Sequence, residues 1–491
     1  MNVNIACLGM HTYVKEVKVL EQTKKEMNIW WAILPIAVMI VCMLITIVFL
    51  EQEPHVPLMI GTITAALVAW KFGHTWKDIQ EMMFNGVKLA MPAILIIMLV
   101  GLTIGAWLGG GVIASMIFYG LKIINPAYFL ITISIICALV SLVTGTSWGT
   151  MGTIGVAGMG IGLSMGIPAA MIAGAVISGA YFGDKMSPLS DTTNLASGLT
   201  DTNLFDHIKY MLYTTIPGFV IALIVYAILG TRFGKGSTST TDIDQIIATL
   251  QAEFTISPLL LLIPLMVIVL VVRKVPAIPA LIVGIILGYF CQVFIQGGTF
   301  SLAMETLQSG FEINTNNEMV NELFNGGGLE SMMYTVSMTI VAMTFGGILE
   351  YSGILQVIME RVLKIVRSTG SLIATTIGTS FFTNATCSEQ YISIVVPSRM
   401  FAQTYKDKGL ESKNLSRALE DGGTLTSVFI PWNTCGVFIY GTLGVHAFAY
   451  APYAVLNFAV PIISLILAFT GFTIAKIKQP TETAEIEQPA N

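Results

Sequence analysis

Two short polar stretches, each containing a proline, interrupt apolar segments of this 491-residue sequence. Residues 187–194 read SPLSDTTN, and residues 430–434 read IPWNT. A proline removes a backbone donor and disrupts the helical turn before it, so carbonyls are freed beside hydroxyl, amide and carboxyl groups. Transporters bind sodium with such oxygen ligands at helix breaks. We therefore predict a sodium site here, with Asp191 as its carboxylate. The alternative, in which Pro188 only kinks a helix and Asp191 lies in an aqueous loop, stays open.

Two stretches of small and hydroxyl side chains precede these breaks, at residues 144–147 (TGTS) and 383–386 (TNAT). Basic residues on both sides of the second stretch favour the cytoplasm, so the segment Ser368–Met400 is not expected to cross the membrane. We predict a re-entrant hairpin there, with its tip at 383–386, and a matching hairpin over Pro126–Pro168. Non-helical backbone is tolerated at membrane depth only inside protein or beside a water-filled cavity. The two tips are therefore expected to meet near the bilayer midplane.

Glu389 lies three residues past the second predicted tip, which keeps it near the midplane. Carboxylates inside a membrane are costly and functional by default, often as proton relays. A carboxylate in this position can hold either a proton or sodium, and that competition is sufficient for antiport. Two alternatives stay open: a silent ion pair with Arg399, and exposure to a vestibule.

The candidate residues form two groups. The predicted sodium ligands are side chains of the breaks and tips: Asp191, Thr192, Asn194, Thr144, Thr146, Ser147, Asn384, Thr386, Asn433 and Thr434. The predicted proton-coupling residues are Glu389, Asp184, Asp421 and Glu420. For the last three, solvated helix ends and structural ion pairs are equally open alternatives.

Membrane helices must position these residues. Hydrophobic residues make up 54% of the chain and charged residues 11%, whereas soluble domains contain about 25% charged residues. About 20 apolar residues span a bilayer, and such stretches recur at Trp30–Leu50, Val87–Leu108, Ile208–Gly230, Ile256–Val272, Pro279–Phe294, Met333–Leu349 and Ala449–Ile474. The sequence predicts an all-α polytopic membrane protein with ten or more passes. Basic tracts, a P-loop lysine and His-Glu or Ser-His-Asp sets are absent from the sequence, so we expect neither nucleic-acid binding nor an enzyme.

Four landmarks recur in the same order in the two halves of the chain. They are a Pro-x-x-Pro helix start, a glycine with a lysine 11 residues later (Gly111 and Lys122, Gly353 and Lys364), the small polar stretch and the proline break. The basic residues require the second half to enter from the opposite side. The predicted fold is therefore two inverted five-helix repeats, each with a re-entrant hairpin and a broken helix. The predicted segments are a cytoplasmic N-terminal tail (1–29), a first transmembrane repeat (30–230), a polar linker (231–253), a second transmembrane repeat (254–476) and a disordered cytoplasmic tail (477–491).

These motifs resemble those of the NhaC family of sodium/proton antiporters. The matching stretches are Thr144–Thr150, Gly183–Asn194, Leu419–Gly423 and Pro431–Thr434. The resemblance implies exchange of sodium for protons across the bacterial inner membrane by alternating access, with no cofactor beyond the transported sodium ion and proton. The family also contains antiporters that exchange malate and protons for sodium and lactate, so that activity is one alternative. A sodium-coupled organic-anion symporter is another, and the oligomeric state is left open, with a homodimer as one option.

The polar stretch Gln296–Glu330 is predicted to be extracytoplasmic, because it contains five glutamates and neither lysine nor arginine. We expect Asn316→Cys to react with a membrane-impermeant thiol reagent from outside intact cells, above the background of the parent protein. Lys408→Cys, in the predicted cytoplasmic stretch Arg399–Arg417, is the control and should react only after permeabilisation. The opposite labelling pattern would invert the predicted topology.

Overall fold

The computed structural model describes residues 27–50, 52–123, 125–233, 240–273, 275–364 and 366–477. Within these ranges the chain is almost entirely helical, with two isolated β-bridges. Each of the long apolar stretches forms helix, so the predicted helical class is confirmed. Most of each predicted terminal tail, 1–29 and 477–491, lies outside the described residues.

The helices are numbered in chain order. The first ten are α1 (Ile29–Leu44), α2 (His55–Lys71), α3 (Trp76–Gly109), α4 (Val112–Ile123), α5 (Phe129–Thr144), α6 (Ser147–Thr150), α7 (Val156–Ser164), α8 (Ala169–Met186), α9 (Asp191–Leu199) and α10 (Leu204–Gly230). The others are α11 (Thr240–Glu253), α12 (Leu262–Val272), α13 (Ala277–Phe294), α14 (Phe300–Ser309), α15 (Glu318–Phe324), α16 (Gly328–Ser331), α17 (Met333–Tyr351), α18 (Ile354–Leu363), α19 (Thr369–Cys387), α20 (Gln390–Asp407), α21 (Lys413–Leu419), α22 (Thr434–Leu443), α23 (Ala447–Tyr450) and α24 (Val455–Thr470). Short π and 3₁₀ turns lie at Ile45–Phe49, Pro126–Tyr128, Met151–Gly155, Pro258–Leu261, Glu420–Thr424 and Ser427–Phe429.

Four helical stretches among the described residues are each long and apolar enough to cross a membrane: Trp76–Gly109, Pro126–Thr144, Leu204–Gly230 and Gly328–Tyr351. A bent pair, Asp244–Glu253 with Pro258–Leu270, would make a fifth, and further apolar helices have 10–17 residues. The chain is a multi-pass helical membrane protein, and the count of five spans in each half stays a prediction.

The chain divides into two compact units. The first comprises the described residues of Met1–Met91 and Ser337–Lys364. In it, Gly86 of α3 lies against the backbone of Gly347 in α17, and a Cβ on Gly86 would lie 2.2 Å from the Met343 carbonyl oxygen. These helices approach backbone to backbone because glycine has no side chain to separate them.

The second unit comprises the described residues of Pro92–Val336 and Ile365–Asn491 and contains all the predicted site residues. Helices α5 and α8 pack along their length, with Gly179 and Gly183 of α8 facing the backbone of α5. A Cβ on Gly179 would lie 2.1 Å from the Ser134 carbonyl oxygen. This close contact holds α8 beside the first helical hairpin.

Two antiparallel helical hairpins lie in the second unit. In the first, formed by α5 and the α6–α7 arm, Gly162 near the end of α7 packs against Phe129 at the start of α5. In the second, α19 pairs with α20, and the hydroxyls of Thr376 and Tyr405 lie 3.1 Å apart. The glycines of the first hairpin therefore serve helix packing.

The predicted polar linker, 231–253, contains the helix α11. Leu250 on this helix is fully buried, and Phe254 just beyond it packs against Phe311 and Phe324, at ring-centroid distances of 5.9 and 5.0 Å. Helix α11 thus buries part of its surface and leads directly into Phe254, which packs against the stretch that is predicted to be extracytoplasmic.

We expect Gly179→Ala to destabilise the folded protein, because the new methyl group would meet a backbone carbonyl oxygen that has no room to move aside. Overpacking of this kind costs about 1–3 kcal/mol. The matched control is Gly378→Ala in α19, where no described atom lies within 4 Å of the added Cβ and alanine is the better helix former. Thermal unfolding in detergent should show a lower midpoint for Gly179→Ala only. Equal midpoints for the two variants would contradict the close α5–α8 contact.

Candidate functional site

The first helix break lies at Gly145 and Thr146, between α5 and α6. Gly145 has a left-handed backbone (φ 72°), and a Cβ there would lie 2.7 Å from the backbone of Leu189. Thr146 is extended and caps α6, with its hydroxyl accepting the Gly149 N–H at 3.2 Å. A helix break thus lies within the stretch 144–147, and its re-entrant position in the membrane stays a prediction.

The second break lies beyond the stretch 383–386, so the predicted tip there is wrong. Helix α19 continues through this stretch to Cys387. Its polar side chains find partners without ending the helix: the Thr386 hydroxyl donates to the Phe382 carbonyl one turn earlier, at 2.9 Å. The chain first leaves the helical conformation at Ser388, whose φ is 58°.

Glu389 therefore lies at the second tip itself, one residue after the left-handed Ser388. It is extended and caps α20, with Oε1 accepting the Tyr391 N–H at 3.4 Å. The same order of a left-handed residue and an extended cap occurs at Gly145 and Thr146. The two tips share one backbone arrangement.

Proline breaks follow both tips, as predicted. After Pro188, α9 begins behind a serine cap, and after Pro431, α22 begins behind an asparagine cap. Pro188 follows Gly145 by 43 residues, and Pro431 follows Ser388 by the same interval. The corrected tip makes the two intervals equal.

Asp184 ties the first tip to α8. Its Oδ2 accepts the Ser147 backbone N–H at 3.0 Å and the Ser147 hydroxyl at 2.6 Å. The Ser190 hydroxyl is a further partner of this buried carboxylate, and the Thr192 hydroxyl lies 3.2 Å from that of Ser190. One carboxylate and three hydroxyls thus cluster where the first tip meets the first proline break.

A buried ion pair lies next in sequence to this cluster. Lys185 Nζ donates to Asp421 Oδ1, and neither side chain is exposed. The Thr214 hydroxyl donates to the same oxygen at 3.2 Å, and Arg417 Nε lies 4.0 Å from Asp421 Oδ2. Arg417 belongs to the predicted cytoplasmic stretch Arg399–Arg417, but its side chain is completely buried within the protein.

Glu420 begins the π turn after α21 and is fully buried. Its carboxylate lies within electrostatic range of Lys185 and Asp184, with the hydroxyls of Thr192 and Thr424 beside it. No described group is placed well enough to complete a hydrogen bond to either carboxylate oxygen. The charge of Glu420 is therefore only partly compensated.

Glu389 is also buried, with 4% of its surface exposed. The Thr434 hydroxyl lies beside its carboxylate, and the Thr434 N–H donates to the Ser388 carbonyl at 2.9 Å. Among the described residues, Glu389 Oε2 has no hydrogen-bond partner. The second tip and the second proline break thus meet at this carboxylate.

Two predicted amide ligands bind protein groups. The Asn433 amide donates to the backbone and side-chain oxygens of Asn384, at 3.2 and 3.1 Å. The Asn384 amide donates to the Gly423 carbonyl at 2.7 Å and to the Thr426 hydroxyl at 3.1 Å. These bonds fasten α19 to the π turn and to the second proline break.

Helix α22 connects both tips. Trp148, just past the first tip, stacks on Phe438 at 4.3 Å between ring centroids. Gln390, just past the second tip, has its Oε1 3.2 Å from the Cys435 sulfur on the same helix. Tyr391 lies within electrostatic range of Asp191, Glu389 and Asp184. The two breaks therefore belong to one polar cluster.

Asp191, the first residue of α9, is exposed and lies at the edge of this cluster, within electrostatic range of Asp184. Asn194 is also exposed, and its amide donates to the carbonyls of Pro188 and Ser190 at 2.9 and 2.7 Å. The break thus has one carboxylate facing solvent and another inside.

Two predicted hydroxyl ligands are turned toward their own helices. The Thr144 hydroxyl points to the Ser141 carbonyl at 3.5 Å, and that of Thr386 donates to Phe382 as described above. Groups of three or more His, Cys, Asp or Glu arranged to hold a metal ion are absent from the described residues. The hydroxyl-rich cluster at Asp184 is thus the better oxygen site.

Sequence reasoning assigned no role to Arg417, Ser190 or Thr214. One signal was available for Arg417, because it precedes Asp421 by four residues and such spacing places opposite charges together on a helix. Ser190 lies inside the predicted motif, where the charge of its neighbour Asp191 is the stronger signal for a cation ligand. Thr214 gave no signal, since it lies in an ordinary apolar helix.

The buried charges do not balance. In the part of the chain that the structure describes, the buried carboxyl groups are those of Asp184, Glu389, Glu420 and Asp421, and the buried cations are Lys185 and Arg417. Two carboxyl charges are thus left over if all four ionise. Protons or bound cations must supply the difference.

Comparison with known proteins bears on this arrangement. The sequence profile of the Na+/H+ antiporter family matches residues 179–472. The chain belongs to this family. The Na+/H+ antiporter NhaC of Alkalihalophilus pseudofirmus is 39% identical over 454 residues, which are 92% of this chain and 98% of that protein. The matched residues include Asp184, Lys185, Glu389 and the Glu420–Thr424 turn.

Other family relatives are named for different cargoes. The malate-2H+/Na+-lactate antiporter of Bacillus subtilis is 37% identical over 438 residues, covering 89% of this chain and 94% of that protein. The arginine/ornithine antiporter ArcD of Halobacterium salinarum is 36% identical over 465 residues, covering 94% and 96%. Sequence identity over the whole chain therefore does not identify the cargo, which must depend on individual side chains.

Proposed function

We propose that this antiporter-family protein exchanges sodium for protons across the bacterial inner membrane by alternating access. The excess of buried carboxyl groups over buried cations carries the proposal. An ionised carboxylate left uncompensated inside a protein costs several kcal/mol. Either a proton or a sodium ion removes that cost, so binding one favours release of the other. A protein that opens alternately to the two sides of the membrane then couples the two flows.

The sodium site is proposed at Asp184, with the hydroxyls of Ser147, Ser190 and Thr192 as further ligands. Sodium prefers such oxygen ligands where helices are broken, and the distances of 2.6 and 3.2 Å within the cluster keep these oxygens close together. Asp191 is proposed to complete the site from its open side, because it is exposed and within electrostatic range of Asp184.

Glu389 and Glu420 are the proposed proton carriers. Both are buried, and among the described residues each has a carboxylate oxygen without a hydrogen-bond partner. Protonation would remove the buried charge of such a carboxylate without breaking a hydrogen bond to that oxygen. Asp421 differs because Lys185 already neutralises it, so we assign it a supporting role.

The two halves of the chain are proposed to form an inverted repeat that produces alternating access. The matching tips and equal tip-to-proline intervals support this proposal. In repeats of this kind the site lies where the broken helices meet, and rocking of one part exposes it to either side. Thr146 and Glu389 would hold equivalent positions, so one repeat would contribute a hydroxyl and the other a carboxylate.

Exchange of an organic acid or amino acid is the second candidate, because two relatives are named for such cargoes. A malate or lactate carboxylate would need a cationic partner. Lys185 forms an ion pair with Asp421, and Arg417 lies between Asp421 and the Thr473 hydroxyl. These contacts favour inorganic ions as the cargo.

Reconstituted vesicles distinguish the candidate activities. Purified protein in proteoliposomes containing a pH-sensitive dye would be challenged separately with gradients of sodium, malate, lactate, arginine and ornithine. We expect sodium alone to drive protons in the opposite direction. Proton movement that needs malate with lactate would establish the alternative antiport, and sodium moving together with an organic anion without protons would establish symport.

Loss of a carboxylate charge at the sodium site should weaken sodium binding. We expect Asp184→Asn and Asp191→Asn each to lower sodium affinity at least tenfold, or by about 1.4 kcal/mol, and nearly to stop exchange. The amide oxygen introduced by Asp184→Asn would still accept the Ser147 hydrogen bonds, so folding should be retained. Asp206→Asn, an exposed change in the first turn of α10, is the matched control.

Isothermal titration with sodium would measure these affinities. Wild-type affinity in Asp191→Asn would remove that residue from the site, and wild-type affinity in Asp184→Asn would place the site elsewhere.

Glu389→Gln removes a proposed proton carrier while keeping the side-chain size. We expect it to abolish sodium-dependent proton flux and to flatten the pH dependence of sodium binding, while residual sodium binding persists through the Asp184 cluster. Glu411→Gln, which alters a partly exposed surface pair, is the matched control. An unchanged pH dependence in Glu389→Gln would reassign the proton to Glu420.

A further inference from the structure

Residues 471–477, named here the C-terminal strap, lie against the segment between α20 and α21. One antiparallel bridge pair, Leu410 with Lys476, and two flanking backbone hydrogen bonds of 2.9 and 3.0 Å hold the strap in place. The Asn414 side chain adds two hydrogen bonds to the backbone of Ala475, at 2.7 and 3.1 Å. The strap is thus docked to one short segment by a small number of bonds.

Thr473 connects the strap to the buried charges. Its hydroxyl accepts a hydrogen bond from Arg417 Nη1 at 3.1 Å, and its carbonyl accepts one from the Tyr210 hydroxyl. Its backbone is left-handed (φ 62°), which is an unfavourable conformation for a β-branched residue. Such backbone strain persists only where surrounding contacts impose it. Release of the strap would therefore relieve the strain at Thr473.

Arg417 is held between the strap and Asp421. Its guanidinium lies 4.3 Å from the centre of the Tyr210 ring on the strap side, but its Nε is 4.0 Å from Asp421 Oδ2. A charge-assisted hydrogen bond would be about 2.7–2.9 Å long. Arg417 Nε and Nη2 and Asp421 Oδ2 find no hydrogen-bond partner in the described chain. Arg417 would gain such bonds by moving toward Asp421, and its contacts with Thr473 and Tyr210 oppose that movement.

We propose that the strap is a latch that positions Arg417, and that its release is a step of the transport cycle. With the strap docked, Arg417 stays 4.0 Å from Asp421, and Asp421 forms its ion pair with Lys185. When the strap is released, Arg417 closes on Asp421 and weakens its hold on Lys185. Lys185 then neutralises Glu420, its other carboxylate neighbour, and because Glu420 lies within electrostatic range of Asp184, the sodium affinity of the Asp184 cluster falls. This inference rests on the proposed sodium exchange.

Variants of Thr473 test the positioning role. We expect Thr473→Val, which removes the acceptor for Arg417, to raise the sodium concentration for half-maximal exchange at least threefold, with the maximal rate within twofold of wild type. Thr473→Asn should behave like wild type, because asparagine keeps an acceptor oxygen and tolerates a left-handed backbone. Thr470→Val is the matched control, since its hydroxyl donates only to the Ile466 and Leu467 carbonyls of its own helix. A purely structural role would lower the thermal midpoint instead of shifting the sodium dependence.

A double-mutant cycle tests whether Arg417 transmits the effect. Thr473→Val should cause no further loss of sodium affinity in a background that already contains Arg417→Gln. An equal loss with and without the arginine would overturn the proposed route.

A reversible disulfide tests the release step. Leu410 and Lys476 form a non-hydrogen-bonded antiparallel pair, whose Cα atoms lie about 4.5 Å apart in general, within the range that a disulfide bridges. Oxidised Leu410→Cys/Lys476→Cys protein should bind sodium with wild-type affinity but exchange at least tenfold more slowly, and reduction should restore exchange. Each single cysteine variant, treated with the same oxidant, controls for the native cysteines.

The outcomes separate the latch from the proposed function. Wild-type vesicles without sodium-driven proton movement would refute the sodium/proton exchange. Wild-type exchange together with undiminished exchange in the oxidised double-cysteine protein would refute the latch alone.

Discussion

A carboxylate buried away from water must be ion-paired, protonated or bound to a cation, and the second unit solves this requirement differently for each of its carboxyl groups. Lys185 neutralises Asp421 directly. Asp184 accepts two hydrogen bonds from Ser147 at the start of α6. Glu389 accepts only one, and Glu420 accepts none among the described residues. The carboxyl groups with the fewest hydrogen bonds, Glu389 and Glu420, therefore gain most from a proton, whereas the hydroxyls around Asp184 add oxygen atoms to its carboxylate.

The helix breaks supply the backbone N–H groups that donate hydrogen bonds to two of these carboxylates. An uninterrupted helix uses its N–H groups internally, whereas a helix that starts inside the protein presents unpaired N–H groups and a positive dipole end to nearby carboxylates. The α6 and α20 starts serve Asp184 and Glu389 in this way. Backbone geometry at both tips is the same, but a glycine provides it at one and Ser388 at the other. The glycine is required where Leu189 approaches closely.

Family relatives with at least 36% identity are named for cargoes as different as protons with sodium, organic acids and amino acids. A common helical frame therefore does not decide the cargo, which depends on a few side chains at the site. In this chain the relevant feature is that both buried cations, Lys185 and Arg417, have protein partners. A chain in which one of them faced an open cavity would instead suit an organic anion.

The sequence alone determined the features that depend on local chemistry. Its apolar stretches are long enough to specify membrane helices, Gly145 supplies the left-handed residue at the first tip, and Pro188 and Pro431 lie beside polar side chains at the predicted helix breaks. The sequence did not place the second tip, because Ser388 adopts a left-handed backbone that serine rarely takes by itself. It also could not rank Asp184 above Asp191, which lies seven residues later in the same motif. Only tertiary packing buries one and exposes the other, and only it pairs Lys185 with a carboxylate 236 residues away.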